Sequence, residues 1–248
     1  MAMNTGSKFH GVGTRPEAPA VVYTFGAAGS GAAAWKGFRA ALGGRAEVRA
    51  IRLPGRESRQ RERAVSSVRE QLEDLAEDLA ALVDADERPC VLVGLCSGAL
   101  TAFEAARHLT VRSGHRPDAL VVARQTAPSR TADTSAADEE FSAEEFQAWC
   151  AENFADRPEL SAPSALEFFA PMLWADFSVT RGYRYAPLPL LTCPVTAVCE
   201  PEESAATRDW SGTTEGVFTL RRQSAPVTVD SLVAPTLDVL DHLDAPYL

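Results

Sequence analysis

The chain predicts an α/β fold, a mostly parallel sheet with helices on both faces. Three observations predict it. Short apolar runs alternate with helix-like stretches along much of the 248 residues. One of these runs, Pro89 to Val93, leads into Gly94-Leu95-Cys96-Ser97-Gly98, a strand-to-helix elbow of the G-x-S-x-G type with cysteine in the central place. A long segment without strand character, from Ala127 to Pro187, then interrupts the alternation.

The elements follow in order. Val21 to Phe25 reads as a strand and runs into the small-residue loop Gly26-Ala27-Ala28-Gly29-Ser30-Gly31. Trp35 to Leu42 is helix-like, and Val48 to Leu53 is a strand stopped by Pro54-Gly55. Ser67 with Glu70 has capping-box spacing. It opens a helix whose Val68, Leu72, Leu75, Leu79 and Leu82 share one face. The strand before the elbow follows, then a helix from Ala99 to Leu109, then a strand from Ala119 to Ala123. Residues 127–187 predict a helical lid over an apolar channel, carrying Phe141, Phe146, Trp149, Phe154, Phe168, Phe169, Met172, Leu173, Trp174 and Phe177. Val195 to Cys199 and Val217 to Leu220 are the last strands, and Val233 to Leu243 is a closing helix. Residues 1–19 read as a flexible tail, and 20–248 as a single domain with the lid inserted at about 127–187.

At the elbow the chain turns so sharply that side chains two residues either side of the nucleophile are nearly excluded. Gly94 and Gly98 flank Cys96 in this way, whereas Leu95 and Ala99 flank Ser97. The apex is therefore Cys96.

Composition narrows the partners. A net charge of −10 argues against nucleic acid, which wants a basic face. No apolar run approaches the ~20 residues of a membrane span, and residues 1–19 lack a signal peptide's apolar centre. The five cysteines, Cys90, Cys96, Cys150, Cys193 and Cys199, form no CxxC or zinc-like spacing, so neither a metal nor a cofactor is expected. A cytoplasmic location with reduced thiols is the simplest reading.

Several blocks, in order, resemble the type II (stand-alone) thioesterases of polyketide and nonribosomal-peptide biosynthesis. Tyr23-Thr24-Phe25-Gly26-Ala27-Ala28-Gly29-Ser30 is similar to that family's oxyanion loop, F-P-x-A-G-G. Arg52-Leu53-Pro54-Gly55-Arg56-Glu57-Ser58-Arg59 resembles its L-P-G-R-E-x-R block. Leu173-Trp174-Ala175-Asp176-Phe177 and Tyr183-Arg184-Tyr185 resemble its L-R-A-D-F and Y-x-Y, and Cys193 to Ala197 matches the strand before its acidic residue. The resemblance implies an α/β-hydrolase fold and an acyl group delivered on the phosphopantetheine arm of an acyl or peptidyl carrier protein. Arg56, Arg59, Arg61 and Arg63 are candidates for the basic patch such an acidic partner needs.

The departures matter as much. The family's acid falls in the turn Cys199-Glu200-Pro201-Glu202-Glu203, where Glu203 is the best positional match and Glu202 the second. The family's histidine position, counted from Trp210, falls on Pro226. No histidine lies between His115 and His242. His108 is twelve residues past Cys96, about 18 Å along a helix, and His10 sits in the tail.

A hydroxyl without a base is nearly inert, but a thiol is intrinsically nucleophilic and sits here at a helix N-terminus that favours the thiolate. The backbone N–H of Ser97 and one from Ala27 or Ala28 are expected to form the oxyanion hole. The expected reaction is transfer of an acyl or aminoacyl group onto Cys96 and on to an acceptor other than water. A non-catalytic protein that binds carrier proteins, and a slow editing hydrolase, are the alternatives.

Overall fold

A computed structural model describes residues 8–112, 117–134, 142–153, 163–224 and 226–244. Seven strands form one sheet: β1 (Phe9–His10), β2 (Val21–Phe25), β3 (Glu47–Ile51), β4 (Cys90–Leu95), β5 (Ala119–Ala123), β6 (Val195–Cys199) and β7 (Phe218–Arg222). Their order is β1-β3-β2-β4-β5-β6-β7, and every pairing except β1 with β3 is parallel. Strands β2 to β6 are buried along their whole length, which is why β2, β4, β5 and β6 read as largely apolar runs rather than alternations; β3 carries Glu47 and Arg49, buried as an ion pair.

Two helix layers cover the sheet. Helices α2 (Val68–Asp84) and α3 (Ser97–Arg112) pack Leu75, Leu79, Phe103 and Leu109 against Tyr23, Leu92 and Leu120. Helices α1 (Lys36–Leu42) and α7 (Val233–Asp244) cover the other face, with Phe38, Leu42 and Leu240 against Val22, Val91 and Val121. The Ser67 side chain caps α2 by accepting from Glu70 N–H. The Glu70 carboxylate reaches back to Ser66 N–H, one residue earlier than a standard capping box places it.

The segment read as a loose tail joins the fold from Lys8 onward. Phe9 is buried against Tyr23, pairs with Ile51, and β1 closes that edge of the sheet. A two-residue strand has no period for a sequence pattern to reveal, so it was invisible in the sequence.

Within 127–187 the described residues form α4 (Pro128–Thr134), α5 (Ala143–Asn153) and α6 (Pro163–Arg181), with no strand among them. Phe146, Leu173 and Phe177 pack on one another with Trp174, so these side chains join α5 to α6 rather than lining an open channel. Val179 and Tyr183 then pin the end of α6 to Leu100 and Val68. Phe141 and Phe154, and the side chains of Trp149 and Phe168, lie outside the described residues. Among the described residues no helix is long and apolar enough to cross a membrane, and no cluster of His, Cys, Asp and Glu could hold a metal.

The topology leaves one crevice. From β2 the chain moves to β3 on one side, and then returns to β4 on the other. The loops after β2 and β4 therefore diverge at the C-terminal ends of adjacent strands, where open α/β sheets bind their ligands. Gly98 lets these loops touch: a Cβ there would sit 2.4 Å from both the Phe25 and Gly26 carbonyl oxygens. Gly94 is equally closed, with a Cβ falling 2.5 Å from Ala99 Cα. In an ordinary helix, glycine to alanine stabilises by about 1 kcal/mol. Here Gly98→Ala is expected to destabilise by about 1–3 kcal/mol, because backbone must move on both sides. Urea unfolding checks the sign, and a more stable variant would show that the loops do not meet there.

Candidate active site

Cys96 follows β4 directly, with φ at +54°, while Ser97 begins α3. The left-handed residue is thus the cysteine, a conformation that costs a non-glycine residue on the order of 1–3 kcal/mol. The strain is held in place by two backbone hydrogen bonds: Cys96 N–H donates to Ala123 C=O at 2.8 Å, and Cys96 C=O accepts from Ala99 N–H at 2.8 Å.

Burial pushes the Cys96 thiol up from its ordinary value. Hydrogen bonds from the N–H groups of Ser97 and Ala28 and the positive charge of Arg124 act the other way, and the Asp176 carboxylate adds to the rise. The helix N-terminus was expected to carry the thiol below its ordinary value. Desolvation wins instead, because the sulfur lies deep although Cys96 keeps some exposed surface.

Of the two loop residues weighed for the oxyanion hole, Ala28 directs its N–H to the sulfur, as does Ser97. The Ala27 carbonyl accepts from Ser30 N–H at 3.1 Å and Ser30 Oγ at 2.6 Å, which fixes the turn of this loop.

That loop is clamped from the lid. Asp176, on α6, accepts from Gly29 N–H at 2.7 Å and forms a two-pronged pair with Arg56, at 2.7 and 3.2 Å. Arg56 also donates to Ser30 C=O at 2.9 Å. Both side chains are buried, Asp176 at 3% and Arg56 at 6% exposure. The L-P-G-R-E and L-W-A-D-F blocks, which the sequence flags separately, therefore meet in one ion pair beside the loop that faces Cys96. Asp176 was not singled out in the sequence, since nothing in its local pattern says what it faces.

The proposed basic patch does not form as expected. Arg56 is used up by Asp176, and Arg59 is buried at 3% exposure against Asp74 and Glu62. Arg63 is exposed but paired with Glu70, and Arg61 is exposed.

Beyond β6 the acids sort differently from the sequence reading. Glu203 is exposed and turns back to Glu200 N–H at 3.5 Å, closing its own turn, and Glu202 is exposed. Glu200 is the acid that reaches the Pro226 loop, accepting from Val227 N–H at 3.1 Å. Its place directly after β6 was the available signal. Pro226 is exposed, and its carbonyl accepts from Gln223 Nε2 at 3.3 Å.

Among the described residues no hydrogen bond joins a histidine to Cys96. His10 is exposed on β1, and His242 is exposed and bonded to its own helix through Asp238 C=O. His108 is half-buried, with Nε2 unpartnered, and lines a cavity of about 760 Å³ between α2, α3 and residues 182–186 that contains no part of the elbow. His115 lies outside the described residues. The crevice at the elbow, between Ala27, Ser97, Thr101 and the Arg56–Asp176 pair, has only about 10 Å³ free.

A nucleophile elbow at the switch point of this sheet, with a loop N–H and a helix N–H directed at the sulfur, defines an α/β-hydrolase. Within that class the chain belongs to the thioesterase family, whose domain model matches residues 21–245. It is 32% identical to the thioesterase PikA5 of Streptomyces venezuelae over 187 residues, 72% of this chain and 64% of that protein. It is 31% identical to the gramicidin S biosynthesis protein GrsT of Aneurinibacillus migulanus over 68% of this chain and 65% of the relative. The chain thus spans just under two thirds of these curated relatives. Among solved structures it superposes on RedJ, a thioesterase from the prodiginine pathway of Streptomyces coelicolor, with a TM-score of 0.75 and 26% identity, covering 90% of this chain and 88% of that one. The type II thioesterase BorB, from the borrelidin biosynthetic cluster, gives a TM-score of 0.68 at 27% identity, over 92% and 90% of the two chains.

Proposed function

We propose that this chain is an acyl-transfer member of the family, working on carrier-bound thioesters in polyketide or nonribosomal-peptide biosynthesis. The biosynthetic setting is taken from the relatives: PikA5 is a thioesterase, GrsT serves gramicidin S biosynthesis, and RedJ and BorB come from the prodiginine and borrelidin pathways. The observation that carries the mechanism is a cysteine, not a serine, at the strained apex, with two N–H groups on its sulfur and, among the described residues, no histidine hydrogen-bonded to it.

Sγ of Cys96 attacks the thioester carbonyl carbon as its own proton is lost. The carbonyl oxygen takes up the negative charge and is held by the N–H groups of Ala28 and Ser97. Collapse breaks the bond to the carrier sulfur, which leaves and takes up a proton. The acyl group is now on Cys96, and one thioester has been exchanged for another. The same steps in reverse deliver it to an acceptor thiol; with an amine, nitrogen attacks the acyl carbon, the bond to Cys96 Sγ breaks, and the proton lost from nitrogen is taken up by the departing sulfur. Hydrolysis differs, because water must lose a proton as it attacks. General-base help in that step is typically worth about 10²–10⁴-fold, and no described residue is placed to give it.

The expected result is an acyl-enzyme that forms quickly and persists. Intact-mass analysis after incubation with acyl-loaded carrier protein should show one adduct on the wild-type chain, discharged by added thiol or amine and only slowly by buffer. Rapid multiple-turnover release of free acid would overturn this in favour of an editing hydrolase. Absence of any adduct, with the carrier protein still bound, would favour the non-catalytic role.

A further inference from the structure

Among the described residues Arg124 is one of three non-glycine residues with positive φ, at +52°; the others are Cys96 and Glu57. It follows β5 directly, and the carbonyl just before it, that of Ala123, is the one that accepts from Cys96 N–H. Two left-handed residues are thus stitched together at the ends of neighbouring strands. The strain at Glu57 is accounted for: its carboxylate binds Arg52 at 2.7 Å and Ala33 N–H at 2.9 Å. No such contact accounts for Arg124. It is exposed, and among the described residues it has no hydrogen-bond or ion-pair partner, in a chain of net charge −10. The arginines of the nearby loop, Arg52, Arg56 and Arg59, are all in ion pairs. An uncompensated cation in a strained conformation beside the nucleophile is the pattern expected of a functional constraint.

We infer that Arg124 is a positioning residue that supplies the positive charge supporting the negative charge formed at Cys96 Sγ, the part an imidazolium plays in a triad. The inference rests on Cys96 being the nucleophile. The groups that bear on this sulfur come from four elements. Ala28 N–H arrives from the loop after β2, Ser97 N–H from α3, Arg124 from the end of β5, and the Asp176 carboxylate from α6. Asp176 opposes the thiolate, but its charge is matched by Arg56. The Glu200 carboxylate, on the loop after β6, is taken up by Val227 N–H. Arg124 is therefore a cation beside this sulfur with no counter-charge among the described residues.

The test is the pH dependence of Cys96 alkylation by iodoacetamide, an uncharged probe whose rate follows the thiolate fraction, mapped to Cys96 by peptide mass. Arg124→Asn removes the charge while keeping a residue that tolerates left-handed backbone. Its profile should move to higher pH, with the rate at neutral pH falling about three- to tenfold. Arg124→Lys should restore most of the rate, and Arg124→Gly should behave like Arg124→Asn. Wild-type alkylation by anionic iodoacetate should exceed that of Arg124→Asn by more than the iodoacetamide ratio. Arg69→Gln, an exposed arginine on α2, should change nothing. Superimposed profiles for wild type and both neutral variants would overturn the inference, and would leave acylation of Cys96 by thioesters untouched. Arg124-dependent alkylation without any acylation would instead sink the acyl-transfer reading and leave the charge's role in place.

Discussion

Cys96→Ser is expected to be as inactive as Cys96→Ala, with both losing the acyl adduct and about 10³-fold or more of transfer activity. This is the reverse of what a serine-based triad would give. A hydroxyl becomes a useful nucleophile only when a base takes its proton, and the groups directed at this apex are two N–H donors, a guanidinium and an ion-paired carboxylate. The serine variant changes one atom at a position with space for either, so its stability should stay within about 0.5 kcal/mol of wild type. Loss of adduct at unchanged unfolding midpoint would locate the defect in the chemistry. A Cys96→Ser protein that still acylates and turns over would reveal a base acting from somewhere other than the groups described.

Asp176→Ala should be the most damaging substitution away from the nucleophile. It leaves the Arg56 guanidinium buried without a counter-charge, a change that typically costs about 3–5 kcal/mol. It also removes the acceptor of Gly29 N–H, next to Ala28 whose N–H reaches the sulfur. Replacing both partners, Arg56→Met with Asp176→Leu, should recover much of the stability, since an apolar pair needs no charge compensation. It should not recover acylation, because the loop remains untied. Urea midpoints read the first effect and adduct formation rate the second. Full acylation by the double variant would show that the pair serves stability alone.

The sequence revealed the fold well because the central strands are buried on both faces. Val21 to Phe25, Ala119 to Ala123 and Val195 to Cys199 stand as apolar runs with sharp ends, and their structural limits coincide with them. Strand β4 extends two residues further than Val93, into Gly94 and Leu95, since glycine there is required by the approach of α3 rather than by a turn. Cys96 was legible for the same reason: the steric rule that places it between two glycines is local. The rest of the site is long-range. Asp176 lies 120 residues from Arg56, and neither neighbourhood says that the two will meet. Glu200 was overlooked because position within a motif favoured Glu203, whereas the loop geometry puts the nearer carboxylate on Val227 N–H. Arg124 had no motif at all; its backbone conformation and its neighbour across the sheet are what mark it.

The buried, up-shifted sulfur also bears on durability. Oxidants such as peroxide react with thiolates far faster than with thiols, and susceptibility rises with access. A diffusing oxidant meets a thiol whose ionised form burial disfavours, under a loop tied to the helix behind it. An acyl donor held against the elbow has time to use the brief moments when the proton is gone, and a transient collision does not. The burial that disfavours the thiolate thus also guards it, so that, on the proposed acyl-transfer reading, the chain keeps its reacting sulfur intact between encounters with substrate.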